Sequence, residues 1–364
     1  MRPTCVTVDL GAIRANVAAI ARAVAPASVC AVVKADGYGH GDVPVAGAAI
    51  DAGATHLAVA LVAEGVRLRE AGIEAPILLL SEPFDDAAGQ VVEWGLTPTV
   101  YCGGFLDALE AAAPSGYPVH VKVDTGMHRV GASPDDAEAL ARRVAASDLR
   151  LEGLWTHFAV AEEDPDFTAE QRDALAGLAD RLAGDGIRPD LVHAANTAGA
   201  LGHAAARFDM VRVGLGVYGL RPAPGIAPEV PLTPAMRVAS RVALIRRLPA
   251  GARPSYGRRR PLERESTVAT VPIGYADGVA RRLGEVGGTV LIRGRRYPYA
   301  GSVTMDQVVV DLGDDPAAVG DEVVLLGSQG DDDITADEWA AWLGTISYEV
   351  VCGFGPRIPR RYVS

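Results

Sequence analysis

The sequence predicts an α/β fold, an N-terminal (β/α)8 TIM-type barrel followed by a C-terminal all-β domain, on the basis of two observations. In roughly the first 230 residues, short apolar runs rich in β-branched residues alternate with alanine-rich segments of helical periodicity. Beyond Pro222, prolines become frequent, and short strand patterns separated by glycine-rich turns replace the alternation. We therefore expect a first strand within residues 1–8 that packs with the C-terminal domain, a barrel over 9–230 and a β-rich domain over 231–364.

The barrel strands are predicted from their apolar runs, after a first strand at Thr4–Val8 and a helix that begins behind a predicted N-cap, Asp9. The eight predicted strands are residues 29–34, 55–60, 76–80, 97–101, 118–123, 151–156, 190–194 and 208–213. The helices predicted between them are residues 42–53, 62–72, 84–94, 104–113, 134–147, 167–185 and 197–205. A doubly wound parallel sheet would alternate in the same way, so the pattern alone leaves both architectures open.

The C-terminal domain is predicted from short strand patterns and one helix near Ala336–Trp342. Its predicted strands are Ala239–Leu248, Thr267–Pro272, Thr289–Arg293, Gln307–Leu312 and Glu322–Leu326.

Composition excludes several classes of function. The net charge of −12, with no basic face or arm, argues against a nucleic-acid partner. The four cysteines form no CxxC pair, which indicates a reduced cytoplasmic protein without a structural metal. No apolar run reaches membrane-spanning length, and no signal-peptide pattern is present, so we expect no membrane association.

The segment Val29–Gly41 carries the first candidate for chemistry. A buried strand ends there on Lys34, and three glycines follow within seven residues. Because desolvating an ammonium group is costly, a lysine at the tip of a buried strand is a candidate Schiff-base nucleophile. A lysine that merely extends into water is the alternative for an isolated case. Tyr38 and His40 crowd the same loop, which favours the chemical interpretation.

Further candidate residues stand at the carboxyl ends of other predicted strands, where the active site of a barrel lies. They are Lys122, Arg129, His157, Asn196, Thr197 and Arg212, with Gly214 beside the last. Arg212–Gly219 is similar to the glycine-rich phosphate sites that many barrels form after their last two strands, although such glycines also serve turn geometry alone. A lysine directed at a phosphate site suggests pyridoxal 5'-phosphate as cofactor.

The motifs together resemble the alanine racemase family. In the first domain they are Ala31–Gly41, Lys122–Arg129, Thr156–Phe158, Ala195–Thr197 and Val211–Leu215. In the second domain they are Ser255–Arg258, Ile273–Gly278, Met305–Gln307, Ser347–Glu349 and Arg357–Tyr362. The blocks span almost the whole chain in family order.

The resemblance implies a pyridoxal 5'-phosphate enzyme that forms a head-to-tail homodimer with shared active sites. Lys34 would bind the cofactor covalently and then act as one catalytic base, with Tyr256 of the other subunit as the second. Racemisation removes a proton from one face of the α-carbon and returns one to the opposite face, so two acid–base groups must flank the substrate. Because a free tyrosine has a pKa near 10, Tyr256 would need nearby positive charge to act as a base.

The resemblance also implies roles for the remaining residues. Arg212 would face the pyridine nitrogen, and since arginine keeps its proton, the cofactor would be a weaker electron sink; this favours racemisation over decarboxylation. His157 would support Arg212. Arg129 and Met305 would contact the substrate carboxylate, with Asp306 beside them. Tyr275 would line the entrance. The cofactor would also be contacted by Asn196, and its phosphate by Tyr38, Thr197, Gly214, Leu215 and Tyr348. Lys122 matches a position that is often carbamylated, where the new charge would orient Arg129.

Two residues depart from the family pattern: Thr197 stands where serine is common, and His128 where a smaller residue, often glycine, precedes the arginine.

The resemblance implies interconversion of L- and D-alanine for peptidoglycan. A racemase for serine or for a wider range of small amino acids remains an alternative, since a hydroxyl alters discrimination only modestly in an apolar pocket. A non-catalytic barrel that binds pyridoxal phosphate is a third interpretation, and the second domain with Tyr256 argues against it.

Overall fold

The computed structural model describes residues 2–364 and divides into two compact units. The barrel unit comprises residues 11–37 and 42–233, and the β unit comprises residues 2–10, 38–41 and 234–364. Within residues 2–364, no helix combines the length and the apolar character needed to cross a membrane.

Eight parallel strands close the barrel. Strand β1 (Cys5–Asp9) belongs to the β unit and precedes the helix Leu10–Val24. The barrel strands are β2 (Ser28–Val32), β3 (His56–Val59), β4 (Ile77–Leu79), β5 (Thr99–Val100), β6 (Pro118–Lys122), β7 (Arg150–Trp155), β8 (Leu191–His193) and β9 (Met210–Val213). They pair in the orders β4-β3-β2-β9 and β5-β6-β7-β8.

Backbone hydrogen bonds join the two four-stranded groups at both edges. The N–H of Leu79 donates to the carbonyl of Thr97 (2.9 Å), and the N–H of Arg212 donates to the carbonyl of Ala195 (2.9 Å). The barrel expected from the sequence is therefore confirmed, and the doubly wound alternative is excluded. Both ends of each predicted barrel strand lie within two residues of the observed ends. The prediction succeeds because fully buried parallel strands have continuous apolar sequences.

Helices follow the barrel strands along the chain. They are Asp42–Asp51, Val62–Glu70, Ala88–Glu93, Gly103–Ala112, Pro134–Ala146, Pro165–Gly184 and Thr197–Gly202. The predicted helix over 84–94 begins with a 3-10 turn, Asp85–Ala87, and the one over 197–205 ends at Gly202 before a separate turn, Ala204–Ala206. The apolar face of each longer helix packs inward, and the core is continuous with buried strand residues such as Leu57, Val121 and Leu154.

The β unit is built from antiparallel strands with one parallel pair. Its strands are β1, β10 (Met236–Arg241), β11 (Leu244–Leu248), β12 (Ser266–Val271), β13 (Thr289–Ile292), β14 (Arg295–Pro298), β15 (Val308–Gly313), β16 (Glu322–Gln329), β17 (Asp332–Ile334) and β18 (Arg360–Val363). One sheet has the order β14-β13-β16-β10-β1-β18, with β17 on β16, and the other has the order β11-β12-β15. β1 lies between β10 and β18, parallel to the latter.

The β unit differs from its sequence prediction in three respects. The single strand predicted over Ala239–Leu248 is two strands, because the chain leaves the larger sheet at Val242 and joins the smaller one, where Leu244 pairs with Thr270. Three strands, β14, β17 and β18, lacked a prediction because they are short and charged, as edge strands usually are. A second helix, Ser347–Cys352, follows the predicted one, which spans Ala336–Leu343.

Candidate functional site

Lys34 is followed by a left-handed turn. The residues Ala35, Asp36, Gly37 and Tyr38 all have positive φ, between 52° and 60°. Three of these four residues are not glycine, and each carries a conformational cost of roughly 1–2 kcal/mol in this region. Such a cost persists where the surrounding structure over-determines the backbone, and strained residues cluster at functional sites.

The turn is fixed by a buried carboxylate. Glu64 accepts a hydrogen bond from the N–H of Ala35 (2.7 Å) through Oε1, and its Oε2 accepts from Ala60 and Leu61. The N–H of Gly37 donates to the carbonyl of Val33 (2.9 Å). Glu64 therefore holds the backbone beside Lys34 in a defined position at the carboxyl end of β2.

Arg212 lies inside the barrel with its guanidinium group almost completely buried. Its Nη1 donates to Nδ1 of His193 (2.7 Å), and its Nη2 is shared among the carbonyls of Thr156 (2.8 Å) and Ala194 (2.9 Å) and Nδ1 of His157 (3.1 Å). Burial lowers the pKa of Arg212 to about 9, so it stays cationic at neutral pH. Among residues 2–364 its Nε–H has no hydrogen-bond partner, and this donor is available to an acceptor on a ligand.

The predicted basic residues of the barrel unit lie near one another. Burial, followed by the charges of Arg212, Arg129 and Lys34, lowers the pKa of Lys122 to about 7. Burial and the same cations hold the pKa of His157 well below its usual value, so this imidazole is neutral. In a protein with a net charge of −12, four cations, Lys34, Lys122, Arg129 and Arg212, thus lie close together, and such a cluster favours an anionic ligand.

The loop that carries Arg129 is organised by Asp124. One oxygen of this carboxylate accepts hydrogen bonds from the N–H groups of Gly126, Met127 and His128, each at 3.0 Å. His128 has a φ of 54°, a conformation that glycine adopts without strain. Its ring contacts the other Asp124 oxygen (3.2 Å), which explains how a histidine is accommodated at this position.

Thr197 and the segment after β9 form a polar turn. The hydroxyl of Thr197 accepts from the N–H groups of Gly214 (3.2 Å) and Gly216 (3.4 Å). A 3-10 turn, Leu215–Tyr218, begins directly after Gly214. Asn196 caps the helix that starts at Thr197 by accepting from Gly199 (2.9 Å).

In the β unit, the structure brings Tyr38 and Tyr348 together. Their ring centroids are 6.1 Å apart, with the rings tilted. Burial and the nearby Tyr348 and Cys352 raise the pKa of the Tyr38 hydroxyl above its usual value, so it remains a hydrogen-bond donor at neutral pH.

The other predicted residues of the β unit lie on linked loops. The N–H of Tyr275 donates to the carbonyl of Thr304 (2.9 Å), which couples its turn to the loop of Met305 and Asp306. The hydroxyl of Ser255, next to Tyr256, donates to the carbonyl of Ser302 (2.5 Å). Tyr256 is 73% exposed and Met305 52%, unusual values for large side chains. These loops therefore present apolar and phenolic groups on the surface of the unit.

Sequence reasoning missed several residues of the site. Trp155 lies beneath two cations, with Nζ of Lys122 4.1 Å and Cζ of Arg212 4.3 Å from its ring centroids. His193 and Glu64 were also missed, although a histidine or glutamate within a buried segment is itself a signal. The composition carries a further signal. The chain has 34 basic residues, and only two of them, Lys34 and Lys122, are lysines, so these two positions stand out from a background of arginine.

Comparisons with known proteins identify relatives of this chain. Residues 8–222 match the family model "Alanine racemase, N-terminal domain", and residues 235–362 match "Alanine racemase, C-terminal domain". The chain is 48% identical to the alanine racemase of Symbiobacterium thermophilum, over 100% of this chain and 97% of the relative. It is 43% identical to that of Desulfovibrio desulfuricans, over 100% and 98% respectively. The crystal structure of alanine racemase from E. faecalis superimposes with a TM-score of 0.94 at 38% identity, covering 100% of this chain and 98% of that one.

Proposed function

The chain belongs to the alanine racemase family, and we propose that it interconverts L-alanine and D-alanine with pyridoxal 5'-phosphate as cofactor. The observation that supports this most strongly is the buried Arg212, whose Nε–H is left for a ligand at the cationic end of the barrel. We place the activity in the cytoplasm, in keeping with four free cysteines, and assign it to the supply of D-alanine for peptidoglycan.

The residues of the barrel unit fit a phosphorylated pyridine aldehyde. Lys34 would hold the aldehyde carbon covalently, and the Arg212 Nε–H would donate to the ring nitrogen. Thr197, Gly214 and Leu215 would receive the phosphate. Tyr38 and Tyr348, which belong to the β unit, would each add a phenolic donor. His157 and Asn196 complete the surroundings. When bound, the cofactor supplies an electron-withdrawing group that acidifies the α-proton of an attached amino acid.

Two bases are needed, because the proton must leave one face of the α-carbon and return to the other. We assign these roles to Lys34 and to Tyr256 of the partner subunit in a head-to-tail homodimer. Tyr256 is highly exposed within its own unit, as is expected for a residue delivered to a partner. The cationic groups of the barrel unit would stabilise its phenolate.

Substrate recognition is assigned to the carboxylate of the amino acid. Arg129 would pair with it, and the backbone N–H of Met305 would donate to it, with Asp306 beside this donor. Tyr275 would line the entrance from the partner. The hydrogen bond between Tyr275 and Thr304 supports this assignment, because it ties the entrance and the carboxylate loop into one body.

A racemisation assay over a panel of L-amino acids tests the proposal. We expect purified, cofactor-loaded protein to be yellow and to racemise alanine with the highest kcat/KM. Serine should react more slowly by up to about 100-fold, the range over which an apolar pocket discriminates against one hydroxyl. Racemisation of serine faster than alanine would identify the alternative substrate. A loaded protein that racemises no amino acid would contradict the proposal.

Lys122 is proposed to carry a carbamate that orients Arg129. Its pKa of about 7 means that a substantial neutral fraction exists at and above neutral pH, and only the neutral amine attacks CO2, losing one proton as the N–C bond forms. We expect a carbamate signal in the 13C NMR spectrum of protein equilibrated with labelled bicarbonate, and the signal should grow as the pH rises from 6 to 8. In Lys122→Met it should disappear.

Lys122→Met should also raise the KM for alanine about tenfold. This corresponds to about 1.5 kcal/mol, the loss of one charge-assisted hydrogen bond that orients Arg129. Lys34, occupied by the cofactor, is the internal control. A carbamate signal that persists in Lys122→Met, or none in the wild type at pH 8, would refute the assignment.

A further inference from the structure

A continuous string of four polar side chains crosses the interior of the barrel. Arg212 Nη1 lies 2.7 Å from His193 Nδ1, His193 Nε2 lies 2.9 Å from His120 Nδ1, and His120 Nε2 lies 3.0 Å from Glu152 Oε2. Both imidazoles are buried, and side-chain layers of Val, Ile and Leu are usual in this part of a barrel. Buried polar groups that are fully hydrogen-bonded specify one arrangement of a core.

The direction of each hydrogen bond follows from the two ends. A guanidinium group can only donate, so His193 Nδ1 must accept, and its proton resides on Nε2. His193 then donates to His120 Nδ1, which places the proton of His120 on its own Nε2. This N–H donates a hydrogen bond to Glu152, which accepts it as an ionised carboxylate. One tautomer of each neutral imidazole therefore satisfies the whole string.

The electrostatics of the groups agree with these tautomers. Burial, aided by the charge of Arg212, holds the pKa of His193 well below its usual value, and burial likewise lowers the pKa of His120. Burial alone would raise the pKa of Glu152, but hydrogen bonds from His120 and Arg150 outweigh it and lower the pKa to about 2. Both imidazoles are neutral, and a full negative charge lies at the far end.

Neighbouring residues leave room for the string. The next residue after Glu152 is Gly153, and a Cβ there would lie 2.2 Å from His120 Nδ1. The ring of His193 stacks on Trp155, with centroids 5.4 Å apart and an interplanar angle of 13°. Arg150 binds Glu152 (2.7 Å) and Asp190 (2.5 Å), so the carboxylate is held from the other side as well.

We propose that Glu152 is a positioning residue for Arg212, which it controls through the tautomers of His120 and His193. An ionised carboxylate accepts hydrogen bonds and never donates them. It therefore excludes the arrangement in which every hydrogen bond of the string is reversed, where the Nδ1–H of His193 and the guanidinium N–H of Arg212 would be two donors facing each other. The orientation of the Arg212 Nε–H is fixed in this way from the opposite end of the barrel. The consequence for catalysis rests on the proposed function, in which that N–H meets the cofactor.

The tautomers can be read directly by 15N NMR of protein labelled at its seven histidines, since protonated and unprotonated ring nitrogens differ strongly in chemical shift. In the wild type we expect His120 and His193 to be neutral, with Nδ1 unprotonated and Nε2 protonated. A protonated Nδ1 at either residue would overturn the proposal. Because no substrate or cofactor chemistry is involved, this result is independent of the proposed function.

The decisive variant is Glu152→Gln, whose amide can either accept from His120 or donate to it. We expect a second set of resonances, in which both histidines carry the proton on Nδ1 and the contact between Arg212 Nη1 and His193 is broken. Glu152→Asp, which keeps the acceptor-only charge, should restore a single set. Glu138→Gln is the matched control, because Glu138, like Glu152, accepts hydrogen bonds from two side chains, here Arg142 and Arg181, but lies on the helix Pro134–Ala146. A single unchanged set of tautomers in Glu152→Gln would overturn the proposal.

In the cofactor-loaded enzyme we expect Glu152→Gln to lower kcat for racemisation on the order of tenfold with little change in KM. Loss of a group that hydrogen-bonds a metal-bound histidine has an effect of at least this size on activity in metalloenzymes. The visible absorption band of the cofactor should shift, since the donor to the ring nitrogen is less well placed. Tautomers that change without a change in kcat or in the band would contradict the catalytic consequence and leave the string itself supported.

Discussion

Replacing Lys34 with alanine is expected to abolish covalent cofactor attachment and to reduce racemisation by about 10⁴-fold or more, since general acid–base catalysis alone contributes 10²–10⁴. In the proposed mechanism, the variant loses both the anchor and one of the two bases. The absorption band of the lysine-bound cofactor should disappear with the activity, while phosphate binding through Thr197 and its neighbours should leave weak, reversible association.

The chain makes the attachment site unusually easy to assign. Only Lys34 and Lys122 carry an ε-amino group, so borohydride reduction followed by peptide mapping has two candidate side chains. We expect the label on the peptide with Lys34 alone. Lys34→Arg keeps the positive charge without a nucleophile and should fail in the same way, which separates charge from chemistry. A label on Lys122, or a label retained in Lys34→Ala, would refute the central assignment.

The backbone around Lys34 also indicates how far sequence reasoning reaches. The strand before it and the glycines after it are local features, and they were sufficient to predict where the lysine stands. The left-handed turn was not predicted, because Ala35 and Tyr38 have no local preference for positive φ and Asp36 has only a weak one. The N–H of Ala35 is held by Glu64, a contact between residues distant in sequence.

The barrel strands were predictable for a different reason from the site that they carry. Continuous apolar runs identify buried parallel strands one at a time, whereas the polar string from Arg212 to Glu152 exists only when four strands are side by side. Within a single strand, His120 interrupts an apolar pattern and carries no further signal. The short charged strands of the β unit were missed because their pairing partners, not their own sequences, make them strands.

Tyr256→Phe is expected to slow exchange of the α-proton with solvent for one enantiomer of alanine by about 10²–10⁴-fold and to leave the other nearly unchanged. In the proposed mechanism each base serves one face, so removing one hydroxyl affects one enantiomer. Net racemisation falls in both directions, because it requires both bases, and deuterium exchange is therefore the measurement that separates them. Equal slowing of both exchange rates would contradict the two-base assignment.

The variant should fold normally, since Tyr256 is mostly exposed and surface substitutions rarely change stability by more than about 0.5 kcal/mol. Tyr297→Phe is a suitable control in the same unit, because it removes a hydroxyl bonded to Asp315 (2.9 Å) and takes no part in the proposed chemistry. Its exchange rates should equal those of the wild type for both enantiomers.

Mixing the two inactive variants tests whether the site is shared between subunits. In a head-to-tail dimer of one Lys34→Ala subunit and one Tyr256→Phe subunit, one site lacks both bases and the other has both. Random reassociation should therefore restore about a quarter of the wild-type activity, since half of the dimers are mixed and each has one intact site of two. If Tyr256 served the site of its own subunit, every site in the mixture would lack one base and no activity would return. Recovery of activity on mixing thus requires that Lys34 and Tyr256 meet across the dimer interface.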